Sequence, residues 1–208
     1  HNRLTTLVGI GAFVSLKVLD CSNNSLRRID VAAANELSEL AVLTQLDLSN
    51  NNIGEVILEK IGGGGQQQQQ PGPGHNSVPF SFLSKVNLSF NMLSGIPNLS
   101  SLSALQELHL DNNEISNIEN IQDLLPTQSL SVLTLHDNQL DQWHHLSGLT
   151  TFADTLTAVT TANNPFCANV RFSLKMFVAW LLPMANNIDD EPITAVEQQV
   201  MQGLFRGE

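Results

Sequence analysis

His109, Asp111 and His136 are the residues whose types and spacing come closest to a chemical constellation. Two imidazoles and a carboxylate on one patch are the parts of a transition-metal site or of a proton-transfer pair. No motif supports either use: the chain has no H-E-x-x-H, no paired Cys-x-x-Cys, no nucleophile elbow and no carboxylate dyad. The glycine run at 62–65 lacks the Lys-Ser/Thr that would make it a phosphate-binding loop. The three residues are therefore read as ordinary surface groups, with no metal, cofactor or enzymatic chemistry expected. His144-His145, beside Trp143, reads as a loop or helix start, and Trp143 and Trp180 as packing residues. Cys21 and Cys167 read as buried thiols rather than as a bridge.

The elements that position these groups are written in a repeat. The pattern L-x-x-L-x-L-x-x-N-x-L occurs six times, beginning at Leu16, Leu43, Leu83, Leu105, Leu130 and Leu156. Self-similarity at this spacing is the signature of a leucine-rich repeat solenoid, an α/β fold with a parallel sheet on its concave side. A strand alternates its side chains, so the second and third aliphatic residues of each copy, two apart, face one interior. A single copy cannot bury that face; stacked neighbours bury it jointly. The sharp bend after each strand turns backbone N–H and C=O groups inward, and a column of Asn24, Asn51, Asn91, Asn113, Asn138 and Asn164 is placed to satisfy them. The last copy departs from the pattern at Thr161 and Phe166.

Residues between the core positions face outward on the concave side. The position between the second and third aliphatic gives Asp20, Asp47, Asn87, His109, Thr134 and Thr160. Two residues on lie Ser22, Ser49, Ser89, Asp111, His136 and Ala162; two residues back lie Val18, Gln45, Lys85, Glu107, Val132 and Ala158. A parallel stack presents these columns as a rigid shelf suited to a helix or an extended segment. Asp20, Asp47, Glu107, His109, Asp111, His136 and Asp137 are the groups that would receive Lys or Arg, with Gln45, Lys85, Asn87 and Thr134 among them. Phe90 stands where other copies carry mostly Asn or Asp; it is read as an aromatic anchor for a partner, the alternative being that it packs on the neighbouring strand.

Charge narrows the partners. The net charge is −11, and between Lys85 and Arg171 there are eight acids and no lysine or arginine. Phosphate contacts require the opposite sign, so direct nucleic-acid and membrane binding are not expected, whereas a basic protein segment is. The acids are equally read as keeping a repetitive surface soluble. No apolar run reaches the roughly 18 residues of a membrane helix.

Along the chain, residues 1–15 read as the remnant of a truncated N-terminal repeat, with Leu4, Leu7, Ile10 and Phe13 as its back half. Residues 16–61 hold two repeats, 62–80 a disordered Gly/Gln/Pro insertion, 81–166 four more repeats, and 167–208 a C-terminal cap with a terminal helix. The clearest helix is expected between Asp30 and Leu43, capped by Asp30, with Leu37, Leu40 and Val42 on its apolar side. In the cap, Leu174, Phe177, Val178 and Leu181 recur at helical spacing, Pro183 stops that helix, and Thr194 to Glu197 forms a capping box for one more.

The repeats together with Asn164-Pro165, Leu182-Pro183 and Ile188-Asp189 resemble the intracellular leucine-rich repeat proteins of the phosphatase-1-regulatory-subunit type. That class includes axonemal dynein light chain 1 and the spliceosomal U2 A-prime protein. Its end module carries a Tyr-Arg pair where this chain has Leu174-Lys175. The segment from Leu130 to Asn138 followed by this cap is similar to the small ciliary leucine-rich repeat-containing protein 51 group. The resemblance implies a non-enzymatic scaffold or adaptor within a large assembly. It implies a cytoplasmic address, the ciliary or flagellar axoneme, and as the alternative a regulatory subunit docking on a phosphatase or other enzyme.

Overall fold

The computed structural model describes residues 2–58, 79–168 and 173–205. The insertion expected at 62–80 lies outside these except for its last two residues, of which Phe80 is buried in the core.

Each repeat contributes one three-residue strand. These are β1 (Val18–Asp20), β3 (Gln45–Asp47), β5 (Lys85–Asn87), β6 (Glu107–His109), β7 (Val132–Thr134) and β8 (Ala158–Thr160). Two short strands on the return path, β2 (Arg28–Ile29) and β4 (Glu55–Val56), pair parallel in a sheet of their own. The hairpin β9 (Asn187–Ile188) and β10 (Glu191–Pro192) completes an eight-stranded sheet in the order β1-β3-β5-β6-β7-β8-β9-β10, parallel throughout except for the hairpin itself. Asp189 and Asp190, both with positive φ, make the two-residue turn such a hairpin requires.

Register follows the repeat. Leu19, Leu46, Val86, Leu108, Leu133, Val159 and Ile188 stand side by side, each buried between two outward neighbours. Their burial, with the aliphatics before and after each strand, forms one continuous core from Leu7 to Ile188. The asparagine column stitches the repeats together. The Asn113 amide donates to Leu110 O of its own repeat at 2.9 Å and to Leu88 O of the preceding one at 3.0 Å, while its Oδ1 accepts the Leu93 N–H at 3.0 Å. Asn51, Asn91, Asn138 and Asn164 repeat this arrangement. Asn24 uses its Oδ1 in the same way on the Leu4 N–H, so Leu4 stands to Asn24 as Leu26 stands to Asn51.

The expected helix at 30–43 is shorter. Helix α1 (Val31–Ser38) starts where Asp30 accepts the Ala33 N–H, and Leu37 is buried, but from Leu40 to Leu43 the chain turns toward β3 and Val42 is exposed. The strand spacing of the sheet, not the propensity of the alanine run, decides where this helix stops. Near the N-terminus Leu7 is buried and Ile10 half-buried, whereas Leu4 and Phe13 are exposed.

Helix α2 (Ile121–Leu124) and a 3-10 helix, Trp143–Phe152, fill two successive return segments. Of the four apolar residues expected to cover the core from the cap, two are fully buried and Leu174 and Phe177 only partly. Helix α3 (Leu174–Leu181), capped by Ser173, buries Val178 and Leu181. Thr194 and Glu197 exchange hydrogen bonds at the head of α4 (Ala195–Phe205). Lys175 reaches Glu191 and Glu197 at 3.2 Å each, tying α3 to β10 and α4. Asp189 accepts the Ala162 N–H at 2.9 Å, closing the last turn of the solenoid. Both cysteines are free: Cys21 is buried and Cys167 half-buried, and loss of hydration pushes both thiols up.

Candidate protein-binding face

The sheet register lines up the outward columns. Asp20, Asp47, Asn87, His109 and Thr134 form one, and Gln45, Lys85 and Glu107 another, with Val18 at its free end. Asp111 and His136 follow immediately after their strands. Phe90 and Asp137 do not lie on the sheet face. They occupy the bend next to the asparagine column, where Asn23, Asn50, Phe90, Asn112, Asp137 and Asn163 all adopt left-handed backbone with φ between 51° and 58°.

That conformation explains the amino-acid choice. Asn and Asp tolerate the left-handed region through local hydrogen bonding; an ordinary side chain there is strained. Phe90 is the exception in the column, and the residue is 51% exposed rather than packed away. Met92, two residues on, is exposed as well, so the bend of this repeat carries two apolar side chains in the open.

Much of the charge on the face is already engaged. Lys85 Nζ contacts Glu107 Oε2 at 2.6 Å, and this hydrogen bond holds the Glu107 carboxyl below the usual range. Asn87 donates to Asp47 Oδ2 at 3.1 Å. Asp20 accepts the Ser22 N–H at 2.8 Å, and its bonds to Ser22 lower its pKa. Asp111 is the most committed. Its carboxylate accepts from the Thr134 hydroxyl, from the His136 N–H at 3.0 Å and from the Thr160 hydroxyl at 3.4 Å, leaving the side chain 14% exposed. Asp111 thus bridges three strands as a structural brace. The expectation that it receives a partner's cation is corrected to this extent: reversing its charge would disturb the ends of three adjacent inner strands as well as any contact.

His109, Asp111 and His136 do converge, through Thr134: the Thr134 hydroxyl lies 3.4 Å from His109 Nδ1 and also meets Asp111. His136 Nε2 is 3.6 Å from Asp111 Oδ1, and His136 Nδ1 is 3.4 Å from Asp137. The carboxylate oxygens are spent on hydroxyl and amide donors, so this patch is a hydrogen-bond network rather than an open ligand set. At the other end of the face, Val18, Asp20, Gln45, Asp47, Lys85 and Asn87 surround a hollow of about 150 Å³. That is below the roughly 300 Å³ at which small-molecule sites begin, and of a size for one side chain of a partner.

Residues 42–63 match the family model described as Leucine Rich Repeat. The fold is a leucine-rich repeat solenoid. No curated protein matches the chain. Among solved structures, the Drosophila melanogaster SNF/U2A′ complex contains a chain similar to this one in fold, with a TM-score of 0.53 and 20% sequence identity. The likeness covers 92% of this chain and 82% of that one. No helix among the described residues of the solenoid is long and apolar enough to cross a membrane.

Three features of the surface escaped sequence reasoning. Val18, an exposed apolar residue at the open end of the sheet, was legible as a column member but not as a contact. Met92 carries no signal beyond following the asparagine. A group formed by Glu119, His144 and His145 on the return segments has no sequence signature, because the two segments meet only in the folded chain.

Proposed function

We propose that this chain is a non-enzymatic scaffold or adaptor whose concave face holds a basic segment, helical or extended, of another protein. The observation that carries this reading is the alignment of Asp20, Asp47, Glu107 and their neighbours into continuous columns on a rigid sheet, in a chain with a net charge of −11. The acidic hollow at β1, β3 and β5 receives a Lys or Arg, and Phe90 with Met92 offers the apolar contact at the rim. A chain of the same fold has been solved in a complex with SNF, which is consistent with a partner-binding role for this fold. The compartment we propose is the cytoplasm, and within it the ciliary or flagellar axoneme, on the resemblance of the repeats and cap.

The test joins location to face. The full-length tagged protein is followed through detergent extraction of flagella, and neighbours are identified by proximity labelling. Retention with the extracted axoneme, and loss of most neighbours in Asp20→Arg/Glu107→Arg with an unchanged circular dichroism spectrum, is the expected result. Complete recovery in the soluble pool with a phosphatase catalytic subunit would replace the axonemal role by that of a regulatory subunit. Unchanged neighbours in the double variant would move the binding surface off the concave face.

A further inference from the structure

We infer that Glu119, His144 and His145 form a binding site for a single borderline divalent ion of the zinc class, on the return side of the solenoid. This revises the sequence-based expectation of no metal and is independent of the concave face. One ligand atom from each of the three side chains lies within 4.8 Å of the other two. His145 Nε2 and Glu119 Oε1 are 3.4 Å apart. Two ligands about 2.0–2.1 Å from a tetrahedral ion are separated by roughly 3.3 Å, so this pair already has the spacing of a coordinated one. Two imidazoles and one carboxylate, with water in the fourth position, are a donor set for zinc and its neighbours. Magnesium and calcium take oxygen ligands instead.

The site is built by an unusually close approach of two return segments. Gly148 sits in the 3-10 helix Trp143–Phe152 with an ordinary negative φ, so its backbone does not require glycine. What requires it is space. A Cβ at 148 would stand 3.1 Å from Ile118 O, 3.2 Å from the Ile121 side chain and 3.3 Å from Glu119 O. The missing side chain seats the histidine-bearing helix directly on the backbone that carries Glu119. The Glu119 N–H is in turn pinned by Asn117 Oδ1 at 2.7 Å.

His145 is held firmly at this point, its side chain only 11% exposed. Nε2 is the nitrogen that faces Glu119 and would bind the ion; Nδ1, buried on the other edge of the ring, takes no part in the coordination. The neighbouring His144 ring, exposed and 4.5 Å from it centroid to centroid, brings its own ligand nitrogen within the same 4.8 Å. Bound metal would clip successive repeats together next to the cap, which Trp143 reaches through its edge contact with Phe177 at 5.4 Å.

The full 208-residue chain, stripped of metal, is titrated with Zn²⁺ alone by calorimetry and with Co²⁺ alone by visible absorption. The expected result is one ion per chain at micromolar affinity, with the intense visible bands of tetrahedral cobalt. His144→Ala and Glu119→Gln, both at exposed side chains, should each weaken binding about tenfold or more while leaving the melting temperature of the metal-free protein unchanged. The double variant His109→Ala/His136→Ala should bind as the parent does. Absence of stoichiometric binding would leave Glu119 and His145 as an ordinary ion pair and overturn the proposal. So would binding that survives His144→Ala and Glu119→Gln, or that disappears with His109 and His136.

Discussion

Asn112 and Asn113 are the same residue type in adjacent positions with unrelated duties. Asn113 is buried, donates to carbonyls of two repeats and accepts an N–H from the one before. Asn112 is a bend residue with φ 54° whose side chain, among the described residues, makes no bond of that kind. Removing the Asn113 carboxamide strands several inward-facing backbone groups, at a cost of about 2–3 kcal/mol. Asn113→Ala should therefore lower the melting temperature by several degrees, and clearly more than Asn112→Ala does. Equal losses in a thermal melt would refute the division of labour. Phe90 is the converse case. Its left-handed backbone costs about 1–2 kcal/mol relative to the Asn found at the same bend elsewhere. Phe90→Asn is thus expected to raise stability in chemical denaturation while weakening partner capture. A variant that loses stability would mean that the ring packs more than its exposure implies. The spacing of the asparagines made their role legible without coordinates. The strain at Phe90 was legible only as an oddity, because backbone conformation is visible once the bend has been traced.

Among the elements, the strands obey their pattern and the returns do not. A strand needs only alternation, and each copy supplies it. Return segments differ in length and composition, and each stops where it must to bring the next strand into register, which is why α1 ends at Ser38 and not near Leu43. The packing of Trp143–Phe152 on α2 depends on one such local fit. Gly148→Ala forces a Cβ against backbone carbonyls that have no flexible end to yield. Overpacking of that kind costs typically 1–3 kcal/mol. At Gly95 the same substitution meets nothing within 4 Å. Parallel melts of Gly148→Ala and Gly95→Ala should show a loss of a few degrees for the first and almost none for the second. Comparable behaviour would mean that the close approach is not a constraint.

For the whole molecule, the repeats share one core, and the sheet they build presents its charge in a fixed pattern. The face mixes acids held only by neutral donors, such as Asp20 and Asp47, with pairs already matched, such as Lys85 with Glu107. Attraction for a basic segment should then be real but readily screened. Raising salt from low to physiological ionic strength shortens the Debye length to about 8 Å and should slow association more than it speeds dissociation. Binding rates indifferent to salt would shift the weight of recognition to Phe90 and Met92.

By itself the sequence determined the solenoid, the identity of the core column and the asparagine ladder, whereas Ser49, Ser89 and Thr160 of the columns expected to face outward are buried. Those first three follow from short-range periodicity, since a strand's side chains alternate and a repeat that cannot bury its own face must stack. Tertiary structure alone decided what each outward residue meets. Asp111 became a brace because Thr134 and Thr160 of later strands stand beside it. Glu107 was matched by Lys85 from the repeat before. Glu119 met His144 and His145 because Gly148 lets two returns touch. Lateral neighbours come from different repeats, at separations set by return segments of unequal length, and no local pattern encodes such meetings.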